Sequence, residues 1–136
     1  MSTIARNADA ESDPRVKAVF DDIRTTRKSD FINNMWHYLA FDPGLLESTW
    51  AEVKAVMAMP STLDPLVKEM LYIAVSVTNG CTYCAHSHTA AAKAKGMSAE
   101  QYADLLRVIS LAAKTNQLAT ALQLPVDPAF DADHQP

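Results

Sequence analysis

Apolar residues recur along the chain at intervals of three and four, in blocks separated by short polar or proline-bearing stretches. That spacing is the mark of amphipathic helices. Ser12-Asp13-Pro14 supplies a capping side chain and a proline where its missing N–H costs nothing, and the stripe Val16, Val19, Phe20 and Ile23 follows it. After a polar connection, Phe31 to Ala40 predicts a short second helix with Phe31, Met35 and Leu39 on one side. Asp42-Pro43 opens a third, carried by Leu45, Leu46, Trp50, Val53 and Met57, and Met59-Pro60-Ser61 ends it. Asp64-Pro65 starts a fourth that runs to about Thr78 and is apolar on nearly all sides, which predicts a central helix covered by neighbours or by a second subunit. Asn79-Gly80 breaks it. A fifth helix begins close to Cys81 and stops at Gly96. Ser98 with Gln101 fits a capping box for a sixth that reaches about Leu122.

No segment shows sustained two-residue alternation, and the three glycines are too few for a chain of hairpins. The fold class expected is all-α, with six or so helices in a single domain spanning 1–136. Residues 1–11 form a loose N-terminal arm and 124–136, with three prolines, an extended tail.

Charge narrows the function. A net charge of −4 without a local Lys/Arg cluster argues against nucleic acid as a partner. The longest apolar run, near 70–75, is far short of the roughly 20 residues that span a bilayer, so no membrane role is expected. The opening residues lack an apolar core of signal type, which predicts a cytoplasmic protein.

The chemistry concentrates in Cys81-Thr82-Tyr83-Cys84-Ala85-His86-Ser87-His88. A disulfide between residues three apart closes too small a loop to restrict the unfolded chain much, so the pair points to redox or metal chemistry rather than to a staple. On a helix, Cys81, Cys84 and His88 share one face: thiol, thiol, imidazole. In the first turn, unpaired N–H groups and the helix dipole favour a thiolate at Cys81. If the fourth and fifth helices fold back at Asn79-Gly80, Glu69 comes within about one turn of His88 and can orient or charge it. A lone carboxylate in so apolar a helix would tend to keep its proton unless paired.

Plainer readings stand beside these. The cysteines are also small apolar side chains suited to burial. Glu69 also fits a solvated stripe with Tyr72 and Ser76. Zinc has four possible ligands in Cys81, Cys84, His86 and His88, but His86 lies off the shared face and no second Cys/His cluster accompanies them. Haem attachment is excluded because Ala85 follows Cys84. His37, Trp36 and Trp50 read as core or subunit-contact residues, His86 as rim or surface, and His134 as part of the tail.

Glu69, eleven residues, Cys81-x-x-Cys84, three residues and His88 form a pattern that resembles the alkylhydroperoxidase D-like family within the carboxymuconolactone decarboxylase superfamily. Lys68-Glu69, Asn79-Gly80-Cys81, Tyr83-Cys84, His88-Thr89 and Gly96-Met97-Ser98 are similar to it as well, over roughly residues 61–110. Asn34-Met35-Trp36 through Leu46 resembles the N-terminal part of its longer, peroxidase-related members. The resemblance implies a helical-hairpin core, assembly into a homo-oligomer (dimer, trimer or hexamer), and peroxide reduction with no metal or organic cofactor. It implies that Cys84 is the peroxidatic thiol and Cys81 the resolving one, with Glu69 and His88 as proton relay. The order conflicts with the dipole argument, which favours Cys81 as the more acidic thiol. Tyr83 departs from the best characterised branch, where a histidine joins the relay. A phenol donates a hydrogen bond but does not shuttle protons near neutral pH.

The expected function is therefore a thiol-dependent peroxidase acting on organic hydroperoxides and reset by a dithiol, a lipoyl group or a thioredoxin-like protein. Its alternatives are a disulfide oxidoreductase or redox sensor that meets peroxide slowly, and a decarboxylase- or isomerase-type enzyme using Glu69 and His88. A non-enzymatic oligomeric scaffold with inert thiols is the remaining case.

Overall fold

The computed structural model describes residues 1–131 and contains six α-helices and no strand among them. The chain divides into two compact units, one of Met1–Pro65 and one from Leu66 onward.

The first unit holds α1 (Pro14–Arg27), α2 (Asn34–Leu39) and α3 (Pro43–Val53), and α3 runs on into a π-helical turn, Lys54–Ala58. Asp13 caps α1 by accepting from the Arg15 N–H at 2.8 Å, and Asp42 caps α3 by accepting from Leu45 at 3.1 Å, each with proline as the next residue. The predicted stripe of α1 is the core: Val16, Val19, Phe20 and Ile23 are all buried, against Leu46, Trp36 and Trp50. The two indoles meet edge to face with centroids 5.4 Å apart, and the Arg27 guanidinium lies over both rings. His37 packs edge-on against Phe20, and burial, reinforced by Arg6, lowers its pKa. Trp50 Nε1 donates to Asp22 at 2.7 Å and Lys54 Nζ to the same carboxylate at 2.8 Å.

Two expectations need correction here. The second helix begins at Asn34, because Asn33 before it is extended; Ile32 and Trp36 are buried, whereas Phe31 and Met35 are exposed. The N-terminal arm ends earlier than residue 11. A 3-10 turn at Ala10–Ser12 buries Ala10, and Glu11 accepts from Arg24 at 2.7 and 3.0 Å.

The second unit holds α4 (Pro65–Thr78), α5 (Thr82–Ala94), α6 (Ala99–Leu122) and a 3-10 turn at Pro128–Phe130. The capping box at Ser98 and Gln101 forms with both bonds, 3.1 and 2.9 Å. The core of this unit is small: Ile73, Ala92 and Met97, with Leu66, Met70, Tyr102, Leu105 and Ile109 partly buried around them. Of the cover expected for α4, from neighbours or from a second subunit, its neighbours in the chain supply part. Its buried side chains are Lys68, Glu69, Ile73 and Ser76, while Val67, Leu71 and Val75 are exposed. The face turned inward is the one that pairs with groups on α5. Along α6 no side chain is fully buried. No helix among the described residues is long and apolar enough to cross a membrane. His134 and the end of the expected tail lie outside the described residues.

Candidate active site

Two helix ends place the cysteines. Gly80, at φ +69°, adopts a left-handed conformation that a side chain disfavours. It lets the Gly80 N–H reach Val77 O at 3.1 Å and the Cys81 N–H reach Ser76 O at 2.9 Å, which is the Schellman ending of α4. The same Cys81 is the N-cap of α5, where its Sγ accepts from the Cys84 N–H at 3.3 Å. Cys81 is thus fixed from both sides, one residue before the first turn in which the sequence pattern places it. The two residues are joined as a disulfide, with Cα atoms 5.4 Å apart, and both are half-buried.

His88 lies one turn beyond Cys84 on the same face of α5. Its Nδ1 is 2.7 Å from Glu69 Oε2, so the hairpin of α4 and α5 brings together two residues nineteen apart in sequence. Glu69 is only 4% exposed, which removes it from any solvated stripe; Ser76, two turns further along α4, is buried as well, and Tyr72 is exposed. Burial pushes the Glu69 carboxyl up, but the hydrogen bonds from His88 and Lys95 outweigh it and hold the group below its usual range. A carboxylate only accepts, so Nδ1 carries the proton in this contact, and Nε2 of a neutral ring is left as an acceptor.

Two further residues belong to this arrangement and were not among the candidates read from the sequence. Lys95 Nζ donates to Glu69 Oε1 at 2.9 Å. The Tyr72 ring stacks on His88. Helical spacing offers a partial signal for each: Tyr72 is three residues from Glu69, and Lys95 seven from His88. Tyr83 and His86 are exposed on the other side of α5. Among the described residues, no three His, Cys, Asp or Glu side chains converge as a metal-ligand set.

The structure thus defines an all-helical chain with a paired-cysteine helix start and, one turn away, a half-buried His88 bonded to the buried Glu69. A family model described as the carboxymuconolactone decarboxylase family matches residues 43–127, and the chain belongs to that family. A crystal structure described as the alkylhydroperoxidase AhpD core from Rhodospirillum rubrum is 60% identical to this chain. That match covers 96% of this chain and 97% of the other, with a TM-score of 0.92. No curated protein matches.

Proposed function

We propose that the protein is a thiol-dependent peroxidase of organic hydroperoxides, acting in the cytosol. The observation that carries this reading is the juxtaposition of the Cys81–Cys84 pair with the Glu69–His88 pair on one helical hairpin. The similarity to a protein described as an alkylhydroperoxidase core supports it.

His88 accepts the proton of Cys84 through Nε2, while the Glu69 carboxylate, accepting from Nδ1–H, stabilises the imidazolium that forms. The thiolate attacks the distal peroxide oxygen. The O–O bond breaks, an alcohol leaves with the proton returned from His88, and Cys84 becomes a sulfenic acid. Cys81 then attacks that sulfur, expelling water and closing the disulfide. An external dithiol, a lipoyl group or a thioredoxin-like protein returns the two electrons. The test is a thiol count by intact mass on reduced protein, before and after one equivalent of an organic hydroperoxide. Loss of two hydrogens with both sulfurs protected from alkylation supports the cycle; two thiols that stay free and alkylate readily sink it.

Tyr83, exposed at the position where the best characterised branch carries a histidine, favours one second reading: a disulfide oxidoreductase with little peroxidase activity. A dithiol-exchange rate far above the peroxide rate would select it.

The proposal includes a homo-oligomer. Val67, Leu71 and Val75 on α4, with Leu111, Leu118 and Leu122 on α6, leave more apolar surface exposed than a small subunit normally tolerates. A monomer by light scattering at micromolar concentration would refute this.

A further inference from the structure

We propose that Lys95 is a positioning residue that keeps Glu69 ionised while His88 is neutral, and so keeps His88 in the tautomer that can take a thiol proton. The inference rests on the reading of His88 as the base serving Cys84.

Both oxygens of Glu69 are engaged, and by different groups: Oε2 by His88 Nδ1 at 2.7 Å and Oε1 by Lys95 Nζ at 2.9 Å. The Glu69 side chain is 6% exposed, so the partners rather than water decide its charge. A neutral imidazole offers Glu69 one N–H and no charge. In the state in which His88 can act as a base, the cation facing this carboxylate is therefore Lys95. The groups acting on Glu69 are His88, from α5, and Lys95, its C-cap; Lys68 precedes it on α4, and Tyr72 reaches the pair through its ring on His88.

The consequence for His88 is a matter of proton bookkeeping. An ionised Glu69 forces the hydrogen onto Nδ1 and leaves a lone pair on Nε2. A protonated Glu69 can instead donate to Nδ1, which moves the ring hydrogen to Nε2 and removes the acceptor. Lys95 thus acts two hydrogen bonds away from the ring atom that does the work. Its backbone is held for this purpose. It is the C-cap of α5, with its N–H on Ala91 O and Ala92 O at 3.1 Å. Gly96, at φ +95°, lets the chain turn away behind it, so that the Met97 N–H reaches Ala92 O at 3.0 Å. The flexible stem then runs back along the helix toward Glu69.

The test uses reduced full-length protein carrying Cys81→Ser, so that Cys84 is the one thiol, and follows its alkylation by iodoacetamide from pH 4 to pH 9. Lys95→Met should move the acid limb of the rate upward by about one pH unit and slow alkylation near neutrality roughly tenfold. Lys95→Gln, which keeps length and a donor but not the charge, should do the same, and Lys95→Arg should restore the parent profile. Profiles for Lys95→Met and Lys95→Gln that superimpose on the parent would overturn the role given to Lys95. Hydroperoxide turnover of the unmodified protein is measured separately. No turnover with a shifted profile defeats the peroxidase reading and supports Lys95; turnover with an unshifted profile defeats Lys95 alone.

Discussion

The phenol ring of Tyr72 lies on the imidazole of His88, centroids 3.7 Å apart and planes 20° from parallel. With Nδ1 held by Glu69 and one face covered, the ring has a single orientation, and Nε2 keeps a fixed direction. Productive proton transfer depends on such alignment. Tyr72→Phe retains the stack and should leave turnover within about twofold of the parent, whereas Tyr72→Ala should lower kcat about tenfold with little change in KM. Steady-state hydroperoxide consumption separates the two variants.

The cysteines have unequal roles in the proposed cycle, so their serine variants should differ in kind. Cys84→Ser should abolish turnover. Cys81→Ser should permit one attack and then stop, leaving a sulfenic acid visible as a gain of one oxygen by intact mass. The reverse assignment, with the trapped oxygen on Cys81 in the Cys84→Ser protein, would make Cys81 the attacking thiol, as its place at the start of α5 suggests.

Glu69 links the site to acid stability. Its carboxyl titrates below its usual 4.5 in the folded chain, since the bonds from His88 and Lys95 outweigh the effect of burial. The resulting stabilisation is complete above about pH 4.5 and is lost as the pH falls through the lower folded-state value. Glu69→Gln should therefore cost about 1–2 kcal/mol at neutral pH. Urea unfolding at several pH values should show that gap narrowing below pH 4.5, and a gap independent of pH would contradict the assignment.

Gly80 carries the turn on which Cys81 depends. A Cβ there meets nothing within 4 Å, so substitution is opposed by the backbone alone, at φ +69°. Gly80→Ala should lower stability by about 1–2 kcal/mol, read as a lower urea midpoint at unchanged slope.

Much of this arrangement is legible in the sequence because helical geometry is rigid. Positions 81, 84 and 88 share a face of any helix that contains them, and Asn79-Gly80 reflects Glu69 onto the last of the three. Proline after aspartate marks the starts of α1 and α3 for a similar reason, since each residue has one favourable place there. Lys95 is not legible in this way. The reach of a four-carbon stem depends on the direction it takes, and the spacing of seven residues says nothing of that. Tyr72 escapes notice because stacking is a matter of ring orientation. Apolar counting does not single out the inward face of α4, because Val67 and Val75 are as apolar as Ile73; the pairing of Glu69 with His88 marks that face. At Phe31 the helical period continues into residues whose backbone does not, since Phe31 to Asn33 lie outside the helix and Asn33 is extended.

The long α6 puts a condition on the whole second unit. Its first turns pack Tyr102, Leu105 and Ile109 on the small core, but from Ser110 to Leu122 every residue is exposed, so that half has little to hold it beyond its own ladder. If copies of the chain supply the missing cover, folding and association are one equilibrium, and resistance to denaturation becomes a property of the solution as well as of the chain. Dilution would then act as a denaturant, and the hairpin that holds Glu69, Cys84 and His88 would keep its geometry only above a threshold concentration of its own kind.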